Sequence, residues 1–199
     1  VAKVIQFPVP SPEKFGFRKV QKKSQPRPAA RTGQLPLFGG AKVVKINPDQ
    51  TYFEEALMLD EAGDGRAGDQ YLKAIEAGDS PDDAYCNLGI LESRHGNTPK
   101  AIDCFSRCLA LNPRHFEAHY NLANLYAELG NLPLAKVHYQ VSIEVEPDFP
   151  NSYYNLGLTL AINREYKEAV KALRRYRELA SPDDRRQTDD LLAQLITVG

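Results

Sequence analysis

The residues able to do acid–base, nucleophilic or metal chemistry in this chain are few and scattered. His95, His115, His119 and His138 are its four histidines. His115 and His119 stand four apart, as two ligands on one helical face would, but no carboxylate or thiol has clear ligand spacing beside them. Cys104 and Cys108 are also four apart, and Cys86 completes a set of three thiols. Three cysteines without a paired pattern fit a reducing, cytoplasmic compartment and buried free thiols. The acid pairs Asp82-Asp83 and Asp183-Asp184 each follow Ser-Pro, where they complement the positive end of a helix. Gly63-Asp64-Gly65 lacks the preceding strand and the Lys that a phosphate-cradling loop requires. No nucleophile, base and orienting group come as a set, so the reading is non-enzymatic, with no metal and no cofactor.

What does recur is an amide. Asn87, Asn121 and Asn155 are spaced 34 residues apart. A side-chain amide offers both a donor and an acceptor, so it can pair with a peptide backbone whatever side chains that peptide carries. The surroundings recur as well. Ala84-Tyr85-Cys86-Asn87-Leu88-Gly89 returns as Ala118-His119-Tyr120-Asn121-Leu122-Ala123 and as Ser152-Tyr153-Tyr154-Asn155-Leu156-Gly157. Ala101 and Phe105 return as Ala135 and Tyr139, then as Ala169 and Leu173, and Pro113 and Pro147 keep the same spacing. A fixed period of this length signals a solenoid of helix pairs, in which stacked neighbours supply the core that no single pair can close.

Local signals divide each unit in two. Ser80-Pro81-Asp82-Asp83 supplies a hydroxyl N-cap, a proline at the first helical position and acids in the first turn. That helix runs to about His95, and Gly96-Asn97 tolerates the turn. The second runs from about Thr98 to Leu111 and stops at Asn112-Pro113. Tyr85, Leu88 and Leu91 make the apolar stripe of the first helix; Ala101, Phe105 and Cys108 make that of the second. Upstream, Asn47-Pro48-Asp49 reads as a helix start, followed by Phe53, Ala56, Leu57 and Leu59, then by Ala67, Tyr71 and Ala74. Downstream, Arg164 stands where a turn glycine is expected. Ser181-Pro182-Asp183-Asp184 opens a last helix to about Ile196, whose Leu191, Leu192, Leu195 and Ile196 cluster at one end.

These residues resemble the tetratricopeptide repeat family. The resemblance implies an all-α, right-handed superhelical solenoid of antiparallel helix pairs. Repeats would fall at about 48–81, 82–115, 116–149 and 150–182, with a capping helix at 183–196. It also implies that the first helix of each pair lines a concave peptide-binding groove. Carried onto this sequence, that groove takes Asn87, Ile90, Arg94, Tyr120, Asn121, Asn124, Tyr154, Asn155 and Leu158, with Cys86 beside them. All three asparagines are expected partly exposed there, since adjacent helical positions differ by about 100° and each precedes a core leucine. The family's basic clamp for acidic C-terminal tails is disfavoured, because Cys86, Tyr120, Tyr154, Asp83, Glu117 and Asn151 stand where Lys or Arg would be needed.

Net charge is −1, but it hides a division. Residues 1–47 carry ten Lys and Arg against Glu13 alone, leaving fifteen basic and twenty-five acidic residues in 48–199. The first segment is rich in proline and in charge, and is expected to be a disordered basic arm. It carries three open readings: a polyanion or nucleic-acid binder, an internal ligand lying on the acidic repeats, or a solvated linker. Within it, Gln34, Leu35, Leu37 and Phe38, around Pro36, are similar to the pentapeptide by which bacterial proteins dock on the replication sliding clamp. No stretch reaches the ~20 apolar residues that span a bilayer. The sequence therefore reads as a protein–protein scaffold for a neutral or basic extended segment, with a nucleic-acid-associated adaptor as the alternative.

Overall fold

The computed structural model describes residues 17–21 and 50–197. All regular structure among them is helical: α1 Tyr52–Glu61, α2 Ala67–Ala77, α3 Pro81–Arg94, α4 Thr98–Leu111, α5 Phe116–Glu128, α6 Leu132–Val145, α7 Pro150–Ile162, α8 Tyr166–Leu179 and α9 Pro182–Ile196. Successive helices pair as α1/α2, α3/α4, α5/α6 and α7/α8, each pair stacks on the next, and α9 closes the end against α8. The result is an all-α solenoid.

The repeating small and apolar residues make that stacking possible. Ala101, Ala135 and Ala169 are fully buried, as are Phe105, Tyr139 and Leu173 one turn further on. Gly89 and Gly157 stand where a side chain has no room. A Cβ on Gly89 would lie 2.9 Å from Cε1 of Phe105, and one on Gly157 would lie 2.6 Å from Cγ of Leu173. The turns between paired helices need a left-handed residue, supplied by Gly63 (φ +70°), Gly96 (φ +77°) and Gly130 (φ +74°). At the fourth such turn the position falls to Arg164, which adopts φ +62° despite its side chain.

Two helix starts differ from the sequence reading. The first helix opens at Tyr52, where Thr51 and Glu54 form a reciprocal capping box. Asn47, Pro48 and Asp49 lie outside the described residues. Ser80 occupies the cap position of α3 but is left-handed (φ +50°) and makes no side-chain cap bond; Pro81 and the acids of the first turn carry that start. At the other end Leu191, Leu192 and Leu195 are buried, while Ile196 stays exposed. No helix among the described residues is long and apolar enough to cross a membrane.

Candidate functional site

Residues 17–21 are the described part of the arm, and they lie as non-helical chain against α3 and α5. The contact is made first by amides. The Arg18 N–H donates to Oδ1 of Asn121 (2.7 Å), and Nδ2 of Asn121 donates back to the Arg18 carbonyl (2.8 Å). One repeat earlier, the Val20 N–H donates to Oδ1 of Asn87 (2.9 Å), and Nδ2 of Asn87 donates to the Val20 carbonyl (3.0 Å). Each amide thus satisfies both polar backbone groups of one residue. The two gripped residues are two apart, as expected where alternate residues of an extended chain face the same way.

Side chains add a second layer. The Arg18 guanidinium sits 4.5 Å from the ring centre of Phe149 and 5.3 Å from that of Phe116, with Nε 3.8 Å from a Glu117 carboxylate oxygen. The two rings meet edge to face at 5.0 Å, which gives the cation a walled aromatic corner. Lys19 reaches Asp60 at the end of α1, a buried carboxylate that also binds Arg94 (3.0 Å) and accepts from the Tyr71 hydroxyl (3.2 Å). Burial and the adjacent Asp60 carboxylate raise the Tyr71 pKa far above its ordinary value. Val20 is buried in the apolar cluster that holds Cys86 and Ile90, and Phe17 stacks on Phe105 at 6.5 Å.

The magnitudes nearly balance. Four hydrogen bonds contribute about 4 kcal/mol net. Burial of Val20 adds about 2 kcal/mol, and the arginine–aromatic contact about 1 kcal/mol. Ordering five residues of backbone costs about 5–10 kcal/mol. The ion pair of Lys19 with Asp60 and the Phe17–Phe105 contact come on top of these, leaving a modest net grip for a free peptide.

The expected row of three exposed asparagines requires correction. All three are fully buried, Asn87 and Asn121 with the arm against them, and Asn155 among helices. Nδ2 of Asn155 donates to the Tyr120 hydroxyl (3.2 Å) and to Oδ1 of Asn124 (3.0 Å), which also accepts from the Tyr139 hydroxyl (2.6 Å). The difference lies one repeat upstream. The counterparts of Tyr120 and Asn124 around Asn121 are Cys86 and Ile90. Only a long contact to the Cys86 sulfur (3.7 Å) links Asn121 to them, so its amide can turn to the arm.

Of the other assigned groove residues, Ile90 lies in the same cluster as Val20, and Arg94 reaches the carboxylate that Lys19 also binds. Tyr120, Tyr154 and Leu158 are core residues, with the Tyr154 ring 4.9 Å from Tyr176. Gln34, Leu35, Leu37 and Phe38 lie outside the described residues. Asp60, Phe116 and Phe149 were not singled out from the sequence as groove residues. Asp60 had a signal: it continues the Phe53, Ala56 helical stripe, so a charge falls on a core-facing position.

Cys86, Cys108 and His115 also come together, with ligand atoms within 4.8 Å of one another, although they sit on α3, on α4 and just before α5. Spacing along one helix, the signal tested in the sequence, cannot reveal a set drawn from three. Nε2 of His115 lies 3.0 Å from Asp83, and Nδ1 accepts the Ala118 N–H at 3.2 Å, so both ring nitrogens are engaged. Beside the arm, an open cleft of about 560 Å³ is lined by Arg18, Asp83, His115, Phe116, Glu117 and Glu146 among others.

Comparison with known proteins adds the family. Tetratricopeptide repeat profiles match residues 82–115, 104–136, 123–163 and 150–181. The tetratricopeptide repeat-containing protein trd-1 of Caenorhabditis elegans is 29% identical over 110 residues, which are 55% of this chain and 14% of that protein. The human protein O-mannosyl-transferase TMTC3 is 30% identical over 135 residues, 64% of this chain and 15% of that protein. The chain thus spans about a seventh of the length of these two relatives. Among solved structures, the first TPR of Spaghetti (RPAP3), bound to the HSP90 peptide SRMEEVD, superposes with a TM-score of 0.54 at 18% identity, covering 59% of this chain and 91% of that one. With these matches running without a gap from residue 82 to 181, across the three helix pairs from α3 to α8, the chain belongs to the tetratricopeptide repeat family.

Proposed function

We propose that this protein is a non-catalytic interaction scaffold that holds an extended protein segment on the face formed by α3 and α5. The observation that carries this reading is the pair of two-point grips, Asn87 on Val20 and Asn121 on Arg18. An amide that satisfies both backbone groups of one residue recognises extended chain as such, and neighbouring side chains then select among sequences. The similar fold of a repeat protein bound to a peptide supports the same use of the scaffold. The family's acidic-tail clamp is a poor fit here, since the acids Glu117 and Asp60 face the seated Arg18 and Lys19. A basic to neutral partner suits this surface.

The test is an array of extended twelve-residue peptides of varied charge, probed with the full chain and with its Asn87→Ala/Asn121→Ala variant. Basic peptides are expected to bind, and the double variant to bind them at least tenfold more weakly. Equal binding by both proteins would overturn the reading.

A further inference from the structure

We infer that residues 17–21 are a tethered occupant of the groove, holding the place of a partner segment of the pattern aromatic-Arg-Lys-aliphatic. This rests on the scaffold reading above and goes beyond it in naming both the competitor and the chemistry of what displaces it.

Every residue of the central triplet meets a matched feature. Arg18 meets the corner of Phe116 and Phe149, with Glu117 at its edge. A guanidinium suits that corner because it is planar and weakly hydrated, so it stacks on rings where an ammonium would hold its water. Lys19, facing away from the two gripped residues, meets the buried carboxylate of Asp60. Val20 fills the floor beside Cys86 and Ile90. The order is fixed too: the later repeat grips the earlier residue, so the segment runs antiparallel to the succession of repeats.

The occupant is part of the same chain, with 28 residues between Gln21 and Gln50. Attachment makes seating an intramolecular event at an effective concentration of about 1 mM. With a Kd of about 100 μM for the arm segment itself, the tethered copy covers the groove about ten to one. A free peptide then binds the native chain about tenfold more weakly than the vacant groove. Weak grip and close tether together make a site that stays covered until a better or more concentrated segment arrives.

The experiment uses the full chain and a fluorescent peptide of residues 13–25. In native protein, hydrogen exchange at the Arg18 and Val20 amides should be at least tenfold slower than at Lys19, independent of protein concentration. The charge-reversed arm Arg18→Glu/Lys19→Glu should bind the probe about tenfold more tightly than the native chain does. Adding Asn87→Ala/Asn121→Ala should abolish that binding. Equal probe affinity for native and charge-reversed chains, with binding still dependent on the asparagines, would overturn the tethered occupant and leave the scaffold standing. Probe binding that ignores the asparagines in every variant would overturn both. Amide protection that grows with protein concentration would seat the arm of a second copy instead, and would also overturn the proposal.

Discussion

The side chain of Asn121 and the backbone of Arg18, 103 residues apart in sequence, close a ring of two hydrogen bonds at 2.7 and 2.8 Å. The contact joins a segment outside the repeats to the third helix pair. The frame that positions Asn121 can be tested residue by residue.

Leu122 follows Asn121 and points the other way, into the cluster of Phe105, Cys108 and Leu125. Leu122→Ala should cost about 2–4 kcal/mol, since neighbours on both sides leave little room to collapse. Urea denaturation gives the number, and a loss below about 1 kcal/mol would show that this helix is packed differently.

Gly157 allows α7 to approach α8 closely, with Leu173 filling the space that a Cβ would need. Gly157→Ala would gain helix propensity, about 1 kcal/mol, yet a Cβ 2.6 Å from Leu173 Cγ must push the helices apart. The packing term should win, for a net loss of about 1–2 kcal/mol. A more stable variant in thermal melts would contradict that close approach.

Arg164 holds φ +62°, where the equivalent turns use Gly96 and Gly130. Arg164→Gly should therefore stabilise the chain by about 0.5–1 kcal/mol, as relief of left-handed strain exceeds the added freedom of the unfolded glycine. Chemical denaturation reads the gain; a loss would mean that the side chain does more than tolerate its turn.

His119 and His138 face each other through Nδ1 atoms 2.9 Å apart, while Nε2 of His119 meets the Pro113 carbonyl at 3.0 Å. A carbonyl only accepts, so the His119 proton is on Nε2, and His138 donates from Nδ1. Burial, with the neighbouring His119 adding to it, lowers the His138 pKa from 6.5 to about 4. The folded state then binds fewer protons than the unfolded state between those values, so stability is full above about pH 6.5 and declines as pH falls to about 4. Allowing for partial exposure of the ring, the decline is about 1–2 kcal/mol. His138→Gln should remove that part of the slope between urea melts at pH 7 and pH 4.5, and parallel curves would exclude the pair as its source.

The repeats were legible because one pattern is written several times: the 34-residue recurrence located α3 to α8, and the Asn112-Pro113 stop set the end of α4. Two kinds of feature escaped. Asn155 shares its place in the 34-residue repeat and its following leucine with Asn87 and Asn121, yet Tyr120 and Asn124 one repeat upstream draw it inward. Which asparagine stays available is a property of stacked neighbours, not of its own motif. The seat of residues 17–21 was likewise only one of three open readings. Phe17-Arg18-Lys19-Val20-Gln21 has no periodicity, and its partners lie in α1, α3, α4, α5 and just before α7.

Asparagine grips also limit where the arm can slide. Each needs an N–H, and proline has none. Pro8, Pro10, Pro12, Pro26 and Pro28 crowd the arm, but the thirteen residues from Glu13 to Gln25 contain no proline, and Arg18 and Val20 fall at the middle of that window. A shift by two residues keeps the same side chains facing the wall. Such steps can continue in either direction only until Pro12 or Pro26 reaches an amide, so the prolines act as stops that bound a short run of allowed registers.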